Sequence, residues 1–243
     1  MKILLSNDDG YYAEGIQALI EELSIKHEIF VAAPLENNSA GSSALSTRKD
    51  INVDNVKKNH YVIDGTPADC VHIALTCLIK EKIDIVVSGI NMGANLGDDV
   101  IYSGTVAAAL EGRHLEFSPI AISLITKDVS YLKNAAQSSS YLFEKIIKNK
   151  IINKKTLLNI NIPDSNNLIK DFKYTRLGKR GIPVPAKKIK EKNLYNIGAA
   201  GDPKDNGEGT DFFVTNNNII SITPITYDLT NSKILEELNN SWV

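Results

Sequence analysis

Two adjacent carboxylates, Asp8 and Asp9, end a short apolar run and are followed at once by Gly10. Neighbouring charges where a strand gives way to a turn repel each other. A divalent cation held by both removes that conflict, because hard cations take oxygen ligands. Gly10 lets the backbone bend there with positive φ. The plainer alternative is an Asx turn that opens a loop and caps the next helix. A second stretch, Ser88-Gly89-Ile90-Asn91-Met92-Gly93-Ala94-Asn95-Leu96-Gly97-Asp98-Asp99, sets glycines and asparagines directly after a buried apolar run. That composition lets a ligand approach the backbone and offers amide oxygens and donors. A third, Ser103-Gly104-Thr105, opens an alanine-rich helix, where first-turn amides and two hydroxyls suit an anion. An ordinary serine cap has the same composition. A fourth stretch, over 35–47, includes Asn38-Ser39-Ala40-Gly41 and is long for a loop in a compact domain.

The surrounding pattern is that of strands and helices in alternation. Apolar runs predict strands over 2–6, 28–33, 83–88, 120–124 and 157–162, with a further one over 171–177. Helical spacing of apolar residues predicts helices over 15–24, 67–80 and 131–149, besides the one opened by Ser103. Thr66-Pro67-Ala68-Asp69 is a helix start, with Thr66 as cap and Pro67 at the first helical position. Residues 51–64 read as a hairpin-like excursion. The expected fold is therefore α/β, Rossmann-like, with a mostly parallel sheet and helices on both faces. One domain spans 1–243, with a core over 1–177 and late strands over 212–223. Residues 178–210, rich in Lys, Gly and Pro, read as a protruding arm, and 224–243 as a tail that docks on a neighbouring subunit.

Composition narrows the function. The chain has 243 residues, 43% hydrophobic and 23% charged, enough for a sizeable core. A net charge of −2 gives no general attraction to nucleic-acid polymers, so phosphate binding would be local. Neither a G-x-G-x-x-G nor a Walker loop is present, which argues against a dinucleotide or ATP. Cys70 and Cys77, on one predicted helix about 10 Å apart, cannot form a disulfide and read as core thiols of a reducing compartment. The N-terminal apolar run is too short for a signal peptide and no later run would span a membrane, so a soluble cytoplasmic protein is expected.

Ligands of open parallel sheets gather at the C-terminal strand ends. Asp8, Asp9, the Ser39 loop, the 91–95 loop and the Ser103 helix start all fall there. Two carboxylates, a hydroxyl and an amide oxygen suit Mg²⁺ or Mn²⁺ and not a His/Cys-bound zinc. A hard cation beside an anion pocket points to phosphoryl chemistry, in which the cation activates water and neutralises phosphate oxygens.

The chain resembles the SurE family of metal-dependent nucleotidases. The resemblance is carried by Lys2-Ile3-Leu4-Leu5-Ser6-Asn7-Asp8-Asp9-Gly10, Asp64-Gly65-Thr66-Pro67-Ala68-Asp69-Cys70 and Asp84-Ile85-Val86-Val87-Ser88-Gly89-Ile90-Asn91. It continues through Asn95-Leu96-Gly97-Asp98-Asp99-Val100-Ile101-Tyr102-Ser103-Gly104-Thr105-Val106-Ala107-Ala108-Ala109 and Gly209-Thr210-Asp211-Phe212. It implies a phosphatase of nucleoside 5′-monophosphates, with 3′-monophosphates as further substrates, and one divalent cation per subunit. By position, the resemblance implies Asp8, Asp9, Ser39 and Asn91 as metal ligands, with Asp8 and Asp9 catalytic. Phosphate contacts would come from Asn95, Ser103, Gly104 and Thr105. It also implies a homodimer or homotetramer built with the arm and an exchanged C-terminal tail. The family usually reads Arg-Ser-Gly around the metal-binding serine where this chain has Asn38-Ser39-Ala40, and often Trp where it has Asn196. No histidine falls in the matched loops, so the general acid is unassigned. Attack by water needs no covalent intermediate, with Asp8 or Asp9 as nucleophile an open alternative. Alternative functions are an exopolyphosphatase, a broader phosphomonoesterase, or a nucleotide-binding sensor without turnover.

Overall fold

Strand Lys2–Ser6 (β1) alternates its side chains between two apolar layers: Ile3 and Leu5 enter one, Leu4 the other. Such a strand belongs in the middle of a sheet covered on both faces. The computed structural model describes residues 1–38, 41–149, 156–189, 193–198 and 200–241. The remaining sheet strands are Glu28–Pro34 (β2), Val53–Lys57 (β3), His60–Ile63 (β4), Ile85–Met92 (β5), Ile120–Leu124 (β6), Thr156–Ile162 (β7) and Phe172–Tyr174 (β8). Four short strands follow over 179–205, Lys179–Arg180 (β9), Lys187–Lys188 (β10), Tyr195–Asn196 (β11) and Pro203–Asp205 (β12), before Ile220–Thr226 (β13). The large sheet runs β3-β4-β2-β1-β5-β6-β7-β13-β8, while β10 pairs β11 and β12 pairs β9 apart from it. All its pairings are parallel except β3 with β4 and β7 with β13.

The helices are Glu14–Ser24 (α1), Pro67–Ile73 (α2), Gly104–Leu110 (α3), Leu132–Lys148 (α4), Asp211–Asn216 (α5) and Ser232–Ser241 (α6). Apolar faces of α1 and α4 cover one side of the sheet through Ile16, Leu19, Leu142 and Phe143. Cys70, Val71 and Ala74 with Ala108 cover the other, against Leu4, Phe30 and Val86. The chain order places β2 and β4 on one side of β1 and β5, β6 and β7 on the other. The switch point where ligands gather therefore lies between β1 and β5.

Most expected elements form, and the hairpin over 51–64 is β3 and β4. Four details differ. The helix begun by the Thr66–Asp69 capping box changes at Ala74–Leu78 to π-helical winding. That winding carries Cys77 off the buried face, so Cys70 is buried while Cys77 is exposed. The strand expected to stop at Ser88 runs on to Met92, with a one-residue bulge between Ser88 and Asn91. Residues 212–214, expected as strand, are helix α5, because the Thr210 side chain accepts from the Phe213 amide and caps it. Pro224 does not end the last strand. It pairs with Leu158, beyond the Ile220–Ile222 stretch that pairs with β8, so its missing N–H falls where the strand has no second neighbour.

Candidate active site

The turn after β1 is built as its residues require. Asn7 donates from Nδ2 to the Gly10 carbonyl at 2.8 Å, and Gly10 has φ of 104°. Asp8 is 4% exposed, and its carbonyl accepts from the Asn38 amide at 2.7 Å. Its Oδ1 accepts from the Thr105 hydroxyl at 2.7 Å, joining the end of β1 to the first turn of α3. Gly104 makes that approach possible. A Cβ on it would lie 2.7 Å from Asp8 Cβ and 2.9 Å from Asp8 Oδ2. Asp9 accepts from Asn37 Nδ2 at 3.0 Å and from the Met92 amide at 3.3 Å, so the end of β5 reaches the same carboxylate pair. Asn91 donates from Nδ2 to the Gly93 carbonyl at 2.7 Å, which turns its Oδ1 to the other side of the amide.

These partners leave the charge uncompensated. Among the described residues, Asp8 and Asp9 bond to neutral donors and pair with no lysine or arginine. Burial pushes the Asp8 carboxyl up from 3.8 to about 6, opposed by the Thr105 hydroxyl bond and reinforced by the Asp9 charge. A buried carboxylate beside a half-buried one, with only dipoles around them, fits a hard divalent cation. No group of three or more His, Cys, Asp and Glu side chains placed to hold a metal ion occurs among the described residues, so further ligands would be neutral oxygens such as that of Asn91. Ser39, the fourth expected ligand, lies outside the described residues.

Asn95 sits in the centre of a second network. Its Nδ2 donates to Ser123 Oγ at 2.8 Å and to Thr105 Oγ1 at 3.3 Å. Both amide hydrogens are thus used within the protein, so donation to a phosphate oxygen would be a three-centre bond that shares one hydrogen with Thr105. Ser103 caps α3 by accepting from the Val106 amide at 3.1 Å, which leaves its hydroxyl proton for another acceptor. The structure therefore brings Asp8, Asp9, Asn95, Ser103, Gly104 and Thr105 to one strand edge with Asn91 beside them. Sequence reasoning missed Asn159 and Asn161, whose side chains hold the Asn95 backbone, and Ser123. Two asparagines at alternate positions of an apolar strand were the available signal. It also missed Asp211, whose Oδ2 accepts the Gly97 amide at 2.7 Å and whose Oδ1 accepts the Gly178 amide at 2.8 Å.

The pattern of the family described as Survival protein SurE matches residues 3–183. The chain belongs to the SurE family. A SurE relative from Ruthia magnifica subsp. Calyptogena magnifica, named 5′-nucleotidase SurE, is 49% identical over 95% of this chain and 94% of its own. One of the same name from Legionella pneumophila (strain Lens) is 45% identical over 99% of this chain and 96% of its own. The crystal structure of the SurE protein from Aquifex aeolicus superposes with a TM-score of 0.87 at 36% identity, covering 100% of both chains. The mostly parallel sheet with helices on both faces is thus the SurE fold. No helix among the described residues is long and apolar enough to cross a membrane.

Proposed function

We propose that this SurE chain is a 5′-nucleotidase: a divalent-metal-dependent phosphatase that hydrolyses nucleoside 5′-monophosphates, and 3′-monophosphates as secondary substrates, to nucleoside and phosphate. The observation that carries the reading is the buried Asp8 carboxylate, seated against Gly104 and bonded to Thr105, with no basic partner among the described residues. The names of the 49% and 45% identical relatives supply the substrate class. A single Mg²⁺ or Mn²⁺ per subunit, held by Asp8, Asp9, Ser39 and Asn91, would supply Lewis-acid polarisation of the phosphoryl group and a more acidic water.

The chain's own residues do the remaining work. The Ser103 hydroxyl and the first amides of α3, which have no intrahelical acceptor, would donate to phosphate oxygens together with Asn95. Thr105, bonded to Asp8, holds that carboxylate in one orientation throughout. Water attacks phosphorus opposite the nucleoside oxygen, the P–O bond to the nucleoside breaks, and the nucleoside leaves as an alcohol. Helix α6 buries no residue and exposes Ile234, Leu235 and Leu238, which supports a homodimer or homotetramer in which the tail packs on a neighbouring subunit.

The test is phosphate release from nucleoside 5′- and 3′-monophosphates, polyphosphate and sugar phosphates, after EDTA treatment and with Mg²⁺ or Mn²⁺ restored. Metal-restored release fastest from 5′-monophosphates is expected. Faster release from polyphosphate or sugar phosphates would reassign the substrate. Tight nucleotide binding without release would make the protein a sensor.

A further inference from the structure

Strand β7 carries Asn159 and Asn161 on the face under α3, both fully buried. Aliphatic side chains would fill those positions without burying amides. The two amides converge on one residue in a distant loop. Asn161 accepts the Asn95 N–H through Oδ1 at 2.9 Å and donates from Nδ2 to the Asn95 carbonyl at 2.9 Å. Asn159 donates from Nδ2 to the same carbonyl at 2.8 Å. Asn161 thus imitates a neighbouring strand's backbone, satisfying both main-chain groups of Asn95 at once.

What lies beyond Asn95 gives the arrangement its purpose. The Asn95 amide donates to Ser123 and Thr105, and the Thr105 hydroxyl, accepting from Asn95, donates to Asp8 Oδ1. We propose that Asn159 and Asn161 are positioning residues of the phosphatase site, holding Asn95 so that its amide directs the Thr105 hydroxyl at Asp8. The proposal rests on the nucleotidase reading above and adds residues from β7 to that site. Anchoring the loop alone would need only one of the two asparagines. Here a second donor is added to a carbonyl already bonded, and Asn159 Oδ1 finds no partner among the described residues, a cost that packing does not explain. The anchored residue is also the one whose side chain reaches Thr105.

The experiment is a double-mutant cycle on the full chain. Asn161→Leu, Asn95→Ala and the double variant are compared for kcat, KM and inhibition by inorganic phosphate, with amide hydrogen exchange across 93–97 measured in parallel. Asn161→Leu should lower kcat/KM by about tenfold to a hundredfold, as expected when a group near the chemistry shifts by a fraction of an ångström to one ångström. It should also weaken phosphate inhibition and speed exchange of the Asn95 amide. In the Asn95→Ala background the same change should cost less than about twofold, because the side chain it positions is gone. Ser221→Ala, which stands in register beside Asn161 but whose hydroxyl bonds to none of the described residues, should keep wild-type kinetics. If Asn161→Leu does not fold, Asn159→Leu, which breaks a single bond to Asn95, enters the same cycle. Unchanged kinetics in a folded variant, or an equal loss in both backgrounds, overturns the proposal. A wild-type protein that releases no phosphate ends the nucleotidase reading instead. Exchange then decides the clamp: faster exchange confined to 93–97 keeps it, and unchanged exchange removes it.

Discussion

Replacing Gly104 by Ala separates the stability of the fold from the geometry of the site. Gly104 lies in the buried first turn of α3, and an added Cβ would stand 2.7 Å from Asp8 Cβ, about 0.7 Å inside the 3.4 Å at which ordinary contact begins. Neither side gives way easily, since Asp8 is tied through its carbonyl to Asn38 and through Oδ1 to Thr105. Two effects on stability oppose each other. Alanine in a helix is favoured over glycine by about 1 kcal/mol. Overpacking a tight interior costs roughly 1–3 kcal/mol. The net loss of roughly 0–2 kcal/mol leaves the chain folded, with a melting shift of a few degrees at this size. Catalysis is less forgiving, because displacing a reacting group by about 1 Å costs about a hundredfold. Gly104→Ala should therefore melt within several degrees of wild type, bind Mn²⁺ more weakly by titration calorimetry, and turn over about a hundredfold more slowly. Gly207→Ala, where nothing lies within 4 Å of the new Cβ, is the neutral control. A folded Gly104→Ala protein with wild-type turnover and Mn²⁺ affinity would refute the claim that Asp8 needs this glycine.

Asp9→Asn should reduce turnover by more than about a hundredfold while leaving the melting temperature unchanged, and wild-type activity in that variant would sink the metal-site assignment. In the metal-free protein, Asp8 keeps its proton up to about pH 6 when folded but loses it near 3.8 when unfolded. The folded state therefore holds the extra proton between those values. The stability this group contributes is complete below about pH 4 and is lost as pH rises through 6, by about 3 kcal/mol in all. Metal-free melts from pH 4 to 7 should show that decline, Asp8→Asn should remove it, and a parallel decline in Asp8→Asn would contradict the assignment. Deleting residues 229–243 should lower the assembled mass in light scattering while leaving each subunit folded, since no described residue of α6 is buried. An unchanged mass would rule the tail out of the interface.

The parts legible in the sequence were those set by local chemistry. Apolar periodicity located β1, β2, β6, β7, α1 and α4, and the Thr66 cap with Pro67 located α2, because each depends on residues a few positions apart. The carboxylate pair, the positive φ of Gly10 and the Ser103 cap were readable for the same reason. Local reading failed where two short-range signals competed. The run Phe212–Val214 looks like a strand until the Thr210 side chain caps it as a helix, and Cys77 leaves the core only because the winding changes at Ala74. Family resemblance named site residues, but no local pattern showed what holds them. Asn159 and Asn161 reach Asn95 from 64 and 66 residues away, Thr105 reaches Asp8 across 97, and Gly104 is required only by the carboxylate above it. Those contacts depend on strand order and register, with β1 and β5 adjacent and β7 two strands beyond. Order and register are settled by how the whole sheet buries its two faces, so only the folded chain decides which polar groups meet there.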